Sequence, residues 1–508
     1  MIQGLLSAAA YPHAVSRVEL LETHISWVVL TGEFAYKIKK PVELGFLDFG
    51  TLEKRRHYCE EELRLNKAWA PDLYLEVVPI TQVGDVVRMG GEGTPVEYAV
   101  RMRQFEQSMR LDHMIEQGRL SDDDVLELAE EIACRHENAR RVEPTPRLQA
   151  TTENLIWDNF NALQGEVPAP FLERLHAWLQ SRIDTHGAFM RERAETGFFR
   201  ECHGDLHLAN IVRLAEGMRA FDCIEFSREL REIDVVADYA FLAMDFIARG
   251  ALGYAYLFVN RYLEKTGDYE GARLLPLYLL YRAMVRAKVA VIGQEQHAAR
   301  TDRAEDRHTI ARYCALARAL TSNRPPVLVL MTGLSGSGKT WLSTRLIPAL
   351  PALRLRSDLE RRRMFGLKET EDSESGIGTG IYDARADRDV YRRLLTTAEY
   401  LLRAGMNVIL DAAFLDAEYR RLARRLAESC DVRCVMINTV ADEQTLEQRV
   451  ARRKAGGDTS EAGVEVLRHQ VATSDPLETD ELAMTITVDT IEEVDVAVLA
   501  ARIREPGH

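Results

Sequence analysis

The run Gly333-Leu334-Ser335-Gly336-Ser337-Gly338-Lys339-Thr340 constrains this chain more than any other stretch. It fits G-x-x-x-x-G-K-[ST], with an apolar run at 327–331 before it and a helix-forming run at 341–347 after it. Glycines at these places let backbone N–H groups converge on phosphate oxygens at a helix N-terminus, whose dipole favours anions. Gly333, Ser335, Gly336, Ser337 and Gly338 are therefore the expected cradle. Lys339 is expected to reach the β- and γ-phosphates, and the Thr340 hydroxyl to bind Mg²⁺. A strand that turns through such a loop into a helix belongs to a parallel sheet. Further apolar runs at 407–410 and 433–437, alternating with helical stretches, agree with an α/β domain.

Upstream, Thr321-Ser322-Asn323-Arg324-Pro325-Pro326 ends a helical run at paired prolines, which cannot continue it. We place the main boundary there, with one domain over 1–322 and a second over 326–508. The first domain reads as α+β. Short β-type runs at 18–22, 25–30 and 34–38 form a meander, a charged helix follows at about 51–68, and strands follow at 75–80 and 97–105. This small lobe spans about 1–105. The lobe from 106 to 322 is mostly helical, with a strand-like interruption near 200–227.

Acidic residues outnumber basic ones 79 to 65, a formal charge of −14. A chain that grips nucleic acid backbone carries the opposite sign, so nucleic acid is not the expected partner. The seven cysteines show neither CxxC nor zinc-ligand spacing and read as reduced structural thiols. No apolar stretch is long enough to span a bilayer, and the N-terminus lacks the basic region of a signal peptide. A cytoplasmic location is the expectation.

Three features of the second domain bear on chemistry. Asp358, in Arg356-Ser357-Asp358-Leu359-Glu360-Arg361, follows a short strand-like stretch and is placed to take a proton from an attacking hydroxyl. Arg361, three residues on, shares its helical face and is a candidate to hold the transferring phosphoryl group. Asp411 ends the apolar run Val408-Ile409-Leu410 and is a candidate to orient Mg²⁺ or its water. Arg449, Arg452 and Arg453 share a helix and are candidates for a lid over the phosphates. Each has a plainer reading: a helix N-cap, a turn residue and a solvated basic face. Taken together, these residues resemble the small-molecule and polynucleotide 5′-hydroxyl kinase branch of P-loop proteins, near the zeta-toxin, gluconate-kinase and chloramphenicol-phosphotransferase groups. The resemblance spans about 327–480 and implies phosphoryl transfer from ATP to a hydroxyl.

In the first domain, His203-Gly204-Asp205-Leu206-His207-Leu208-Ala209-Asn210 places Asp and Asn at the spacing of H-x-D-x-x-x-x-N, where Asp accepts the hydroxyl proton and Asn holds Mg²⁺. Asp222 follows inside an apolar, strand-like run, where an acid is costly unless it binds something, and suits a second metal ligand. Lys37 on the third strand is the candidate for the nucleotide phosphates, and Lys39 shares its strand parity as a rival. Its acidic partner is one of Glu60, Glu61 and Glu62, with Glu61 or Glu62 favoured. This pattern resembles the aminoglycoside phosphotransferase family over about 18–320 and implies a protein-kinase-like fold, a hinge near 98–103 and transfer to a small-molecule hydroxyl. It departs at the first β-turn, Thr23-His24-Ile25-Ser26, which has no glycine, so side chains there would have to replace backbone amides. The whole layout resembles bacterial proteins described as bifunctional phosphotransferase/ATP-binding proteins. The expectation is an ATP- and Mg²⁺-dependent phosphotransferase with two nucleotide sites acting on small-molecule hydroxyls. Two alternatives stand beside it: one half, more readily the N-terminal one, is a nucleotide-sensing module, or the P-loop half phosphorylates 5′-hydroxyl ends.

Overall fold

The computed structural model describes residues 1–44, 47–145, 147–296, 300–322, 325–369, 371, 373, 379–456 and 463–505; side chains at 44, 147, 149, 295, 296, 300–303 and 453–456 lie outside the description. The chain forms two compact units. The first holds Met1–Asp245 and Tyr281–Arg307, the second Phe246–Leu280 and His308–His508. The boundary read at 322–326 falls within the span of the second unit, and residues 323 and 324 lie outside the description.

In the first unit, β1 (Glu19–Glu22), β2 (Ser26–Leu30), β3 (Phe34–Lys39), β4 (Tyr74–Val83), β5 (Val86–Met89) and β6 (Pro95–Arg103) form an antiparallel sheet in the order β1-β2-β3-β6-β4-β5. The expected meander is present, and β5 is an additional hairpin strand between the two expected later ones. On β3, Tyr36 and Ile38 enter one core with Val29, Ile80 and Ala99. Period-two alternation puts Lys37 and Lys39 on the opposite face. There α1 (Leu52–Trp69) packs with a buried stripe of Arg55, Cys59, Glu62, Leu65, Asn66 and Trp69. The spacing is helical, and it brings a glutamate into an otherwise mostly apolar seam. Thr51 caps α1 by accepting from the Lys54 N–H at 3.2 Å.

The helical lobe carries a small hairpin, β7 (Ile211–Leu214) and β8 (Gly217–Ala220), and α2 (Val235–Ala248). Residues 221–226 were expected to be a strand; they have no regular secondary structure. The reason is local: Asp222 has φ 66°, the left-handed region, which a strand cannot contain.

In the second unit, β9 (Val327–Thr332), β10 (Ala352–Arg356), β11 (Asn407–Asp411), β12 (Arg433–Val440) and β13 (Thr485–Asp489) form a parallel sheet in the order β10-β11-β9-β12-β13. Every side chain of β9 is buried, as expected for a central parallel strand. Leu330 of β9 pairs with Leu410 of β11, so the strand leading into the phosphate loop lies beside the strand that ends at Asp411. The strand β13 was not anticipated. Helices of this unit include α3 (Leu252–Thr266), α4 (Lys339–Ala349), α5 (Ser357–Met364), α6 (Ala384–Arg403) and α7 (Glu443–Gly456). Among the described residues no helix is long and apolar enough to cross a membrane. All seven cysteines are free thiols.

Candidate active sites

The first site is built where the sheet, α1 and the His203–Asn210 loop meet. Lys37 Nζ lies 2.9 Å from Glu62 Oε1 and also pairs with Asp222. Lys39 Nζ lies 2.7 Å from Glu62 Oε2 and pairs with Glu225. One carboxylate therefore holds both rival lysines, and their second partners separate them. Lys37 faces Asp222, whose side chain is 42% exposed; Lys39 is fully buried against Glu225. Burial alone would lower Lys37, but Asp222, Glu62 and Glu225 outweigh it and hold its ammonium charged. Glu62 is depressed to about 2, because Lys37 and Lys39 more than offset the effect of burial. Glu60 and Glu61 are occupied elsewhere, Glu60 with Arg56 at 2.9 Å, and Glu61 with Arg64 at 2.6 Å and Arg231 at 2.8 Å.

Glu62→Gln would leave two buried lysines sharing two carboxylates. It is expected to cost about 3–5 kcal/mol in urea unfolding, whereas Glu60→Gln, on the surface, costs at most about 1 kcal/mol.

The loop itself is held by a residue that sequence reasoning did not single out. Asp238 of α2 accepts from the His203 N–H at 3.0 Å and the Gly204 N–H at 2.9 Å, and stands 3.1 Å from His136 Nε2. Burial raises Asp238, and His136, His203 and Arg282 reverse that, so it stays ionised. The signal was present: Asp238 lies in Val235-Val236-Ala237-Asp238-Tyr239-Ala240, an apolar helical run where an unpaired acid is costly. Gly204 has φ 86°, and a Cβ there would lie 2.8 Å from Leu230 O, so Gly204→Ala is expected to distort the loop. Asn210 Nδ2 donates to Asp205 O and Oδ2, each at 3.0 Å, and His207 Nε2 lies 3.3 Å from the same carboxylate. Burial raises Asp205, but His207, Arg286 and His203 push it well below the ordinary carboxylate range. Asp205 is therefore held as a carboxylate at neutral pH. With Asn210 Nδ2 engaged, its amide oxygen is left as an acceptor. That oxygen and the Asp222 carboxylate are hard donors of the kind Mg²⁺ takes. Asp222 is fixed by its N–H, which donates to Tyr74 Oη at 3.1 Å.

In the turn at 23–26 the Thr23 hydroxyl is used internally. It accepts from the Ser26 N–H at 3.0 Å and donates to Ser26 O at 3.2 Å. Thr23 therefore supplies no spare donor in this conformation.

In the second unit Gly333, Gly336 and Gly338 have φ 138°, 84° and 93°. A Cβ on Gly333 would meet Thr439 O at 2.5 Å, and one on Gly336 would meet Leu446 O at 2.9 Å, so β12 and α7 press on the loop backbone. Ser337 Oγ bonds Thr439 Oγ1 at 2.7 Å, and the Ser335 N–H donates to Gln470 Oε1 at 2.8 Å. Lys339 Nζ donates to Gly333 O at 2.8 Å and Leu334 O at 2.9 Å, folded over the loop it would share with phosphates. Thr340 follows it as the second residue of α4. Asp411 is buried at the end of β11 and its Oδ2 accepts from Ser343 Oγ at 2.9 Å. A hydroxyl and a carboxylate next to a phosphate loop are again hard oxygen donors suited to Mg²⁺.

Asp358 is the second residue of α5, not its cap; Arg356 holds that place. Among the described residues no hydrogen bond or ion pair fixes its carboxylate. Burial raises its pKa, nearby Asp411 adds to this, and Arg356, Arg361 and Lys339 oppose it. Those neighbours place it beside the phosphate loop. Arg361 is otherwise engaged: it donates to Ile381 O at 2.7 Å and Asp387 Oδ1 at 2.6 Å. Arg449 meets the loop directly, donating to Gly336 O at 3.3 Å, Thr490 Oγ1 at 2.8 Å and Thr490 O at 2.9 Å. The Arg453 side chain lies outside the described residues. Trp341 and Thr490, which the sequence did not point to, join Gly338, Arg449 and Arg452 around a cavity of about 280 Å³.

A phosphate loop on a parallel sheet, and a Lys–Glu pair set against an Asp/Asn loop under an antiparallel sheet, define a kinase-type phosphotransferase enzyme with a P-loop domain and a protein-kinase-like domain. A family model described as an AAA domain matches residues 328–477. Over its length the chain is 30% identical to the uncharacterized protein Rv2004c of Mycobacterium tuberculosis, across 457 residues and 88% of each chain. The uncharacterized protein Mb2027c of Mycobacterium bovis matches equally. The chain belongs to the family of these mycobacterial proteins. Among solved structures, a choline/ethanolamine kinase family protein from Mesorhizobium loti is 14% identical, covering 61% of this chain and 89% of that one, with TM-score 0.39. A gluconokinase from Sinorhizobium meliloti is 17% identical, covering 36% and 93%, with TM-score 0.25.

Proposed function

We propose that the chain is an ATP- and Mg²⁺-dependent phosphotransferase with two nucleotide sites, each moving the γ-phosphoryl group of ATP to the hydroxyl of a small molecule. The observation that supports this reading is that each unit separately holds a lysine, carboxylates and hard oxygen donors of the kind such a site would use. In the first, Lys37 binds phosphate, Asn210 and Asp222 hold Mg²⁺, and Asp205 takes the proton of the attacking hydroxyl as its oxygen bonds to phosphorus and ADP leaves. In the second, the loop amides, Lys339 and Arg449 bind the phosphates, Thr340 and Asp411 hold Mg²⁺, and Asp358 is the base. Arg361 would have to release Asp387 to reach a phosphoryl group, so its part is the lesser one unless the acceptor draws it over. Mg²⁺, when bound, supplies charge neutralisation on the phosphates.

The two bases differ in environment, and that predicts a pH signature. A base works ionised, so its activity is lost as pH falls through its pKa. Asp358 is raised and Asp205 lowered. ATP turnover in Asp205→Asn, which reads the P-loop half, is expected to lose activity at a higher pH than in Lys339→Ala, which reads the other half. Acid limbs that coincide or reverse would assign the bases wrongly.

A second reading is favoured by the turn at 23–26, which has no glycine and no free Thr23 hydroxyl. On that reading the first unit binds nucleotide without transfer and regulates the P-loop half. Mass spectrometry of a metabolite extract incubated with ATP and each variant decides between the two. Phosphorylated products that vanish with Asp205→Asn support transfer at both sites, and an unchanged product set supports regulation.

A further inference from the structure

The helix α3 precedes the phosphate loop in sequence and packs in the same unit. Asn260 on α3 treats the edge strand β10 as a neighbouring strand would. Its Nδ2 donates to Ala352 O at 2.9 Å, and its Oδ1 accepts from the Arg354 N–H at 2.7 Å. Backbone groups on an edge strand that were buried without partners would be costly, and this amide supplies both donor and acceptor. Four residues on, and so on the same helical face, Glu264 Oε1 accepts from Arg354 Nη2 at 2.6 Å. Both side chains are almost fully buried, at 6% and 5% exposure. Burial raises Glu264, but Arg354 and Arg356 overcome this and keep it ionised.

The other end of the Arg354 guanidinium points at the phosphate-loop site. Its Nη1 donates to Ser343 Oγ at 3.0 Å and Thr344 Oγ1 at 2.5 Å, and lies 3.5 Å from Thr340 O. Ser343 Oγ in turn donates to Asp411 Oδ2, while Arg354 Nη1 stands 4.0 Å from that oxygen. Two carboxylates thus compete for one buried cation. Glu264 holds the direct contact, and Asp411 is linked through a hydroxyl.

We propose that Glu264 and Arg354 are positioning residues of the phosphate-loop site: Glu264 keeps the Arg354 charge off Asp411, and Arg354, through Ser343, fixes the carboxylate that Mg²⁺ uses. This rests on the reading of Asp411 as a metal ligand. Removing the Glu264 charge frees Arg354 to pair with Asp411 and compete with the cation.

Calorimetric titration of the full-length protein with ATP plus Mg²⁺, and with ATP plus a chelator, tests this, with Lys339→Ala as the reference that isolates the phosphate-loop site. Glu264→Gln is expected to weaken Mg²⁺-ATP binding there roughly tenfold, the scale of groups that orient metal ligands, and to leave metal-free ATP affinity unchanged. Arg354→Lys keeps the charge opposite Glu264 but not the fork, and should show the same Mg²⁺-specific loss even where Glu264→Gln fails to fold. Equal losses in both conditions would mean general loosening and would overturn the proposal, as would no loss beside an intact wild-type Mg²⁺ enhancement. A wild-type site with no Mg²⁺ enhancement would overturn the metal reading and the proposal with it.

Discussion

Asp205→Asn is expected to lower phosphoryl transfer at the first site by about 10²–10⁴-fold, the usual contribution of a positioned general base, with ATP binding retained. The substitution keeps the shape of the side chain. Its amide oxygen can still accept from Asn210 Nδ2, now at 3.0 Å from the carboxylate, so the loop held by Asp238 stays in place. What disappears is the negative charge that His207, Arg286 and His203 stabilise. Single-turnover measurement of product over a range of ATP concentrations separates this from a folding defect, because a distorted loop would weaken nucleotide binding as well.

Lys339→Ala is expected to have a comparable effect in the second unit, for a different reason. Transfer of a phosphoryl group is governed by positioning and charge neutralisation. The loop glycines supply donors but no full charge, and Arg449 is partly committed to Thr490. Removing the ammonium should lower the rate by roughly 10²–10³-fold, as for loss of one preorganised electrostatic group, and weaken ATP binding too. Lys339 Nζ donates to the carbonyls of Gly333 and Leu334, both within its own loop, and the strand and helix on either side are held by their own backbone bonds, so the fold should tolerate its loss. An unchanged thermal midpoint beside lost ATP binding is the expected pair of results.

The parts legible in the sequence were those whose chemistry is contiguous. The 333–340 loop and the 203–210 loop each place several candidate residues within one short segment. Strand parity left Lys37 and Lys39 as rivals, and the choice among Glu60, Glu61 and Glu62 needed the packing of α1, where of the three only Glu62 lies in the buried stripe. The 221–226 run was misread because its apolar composition is that of a strand, while the left-handed Asp222 interrupts it. Asp238 could have been found by the same cost-of-burial argument applied to Asp222. The partners of Arg361 could not have been read, since Ile381 and Asp387 reach it from a later segment. The pairing of Asn260 with β10 joins residues 92 and 94 positions apart, and nothing in either segment announces it. For the same reason, the placement of Phe246–Leu280 with the P-loop unit was invisible to a reading that divides the chain at prolines.

The central claim is that one chain holds two nucleotide sites. Equilibrium dialysis of the full-length protein against Mg²⁺-ATP counts them without knowledge of either acceptor. Two nucleotides per chain, falling to one in Lys339→Ala, is the predicted result; a single nucleotide per wild-type chain, lost entirely in Lys339→Ala, would contradict it.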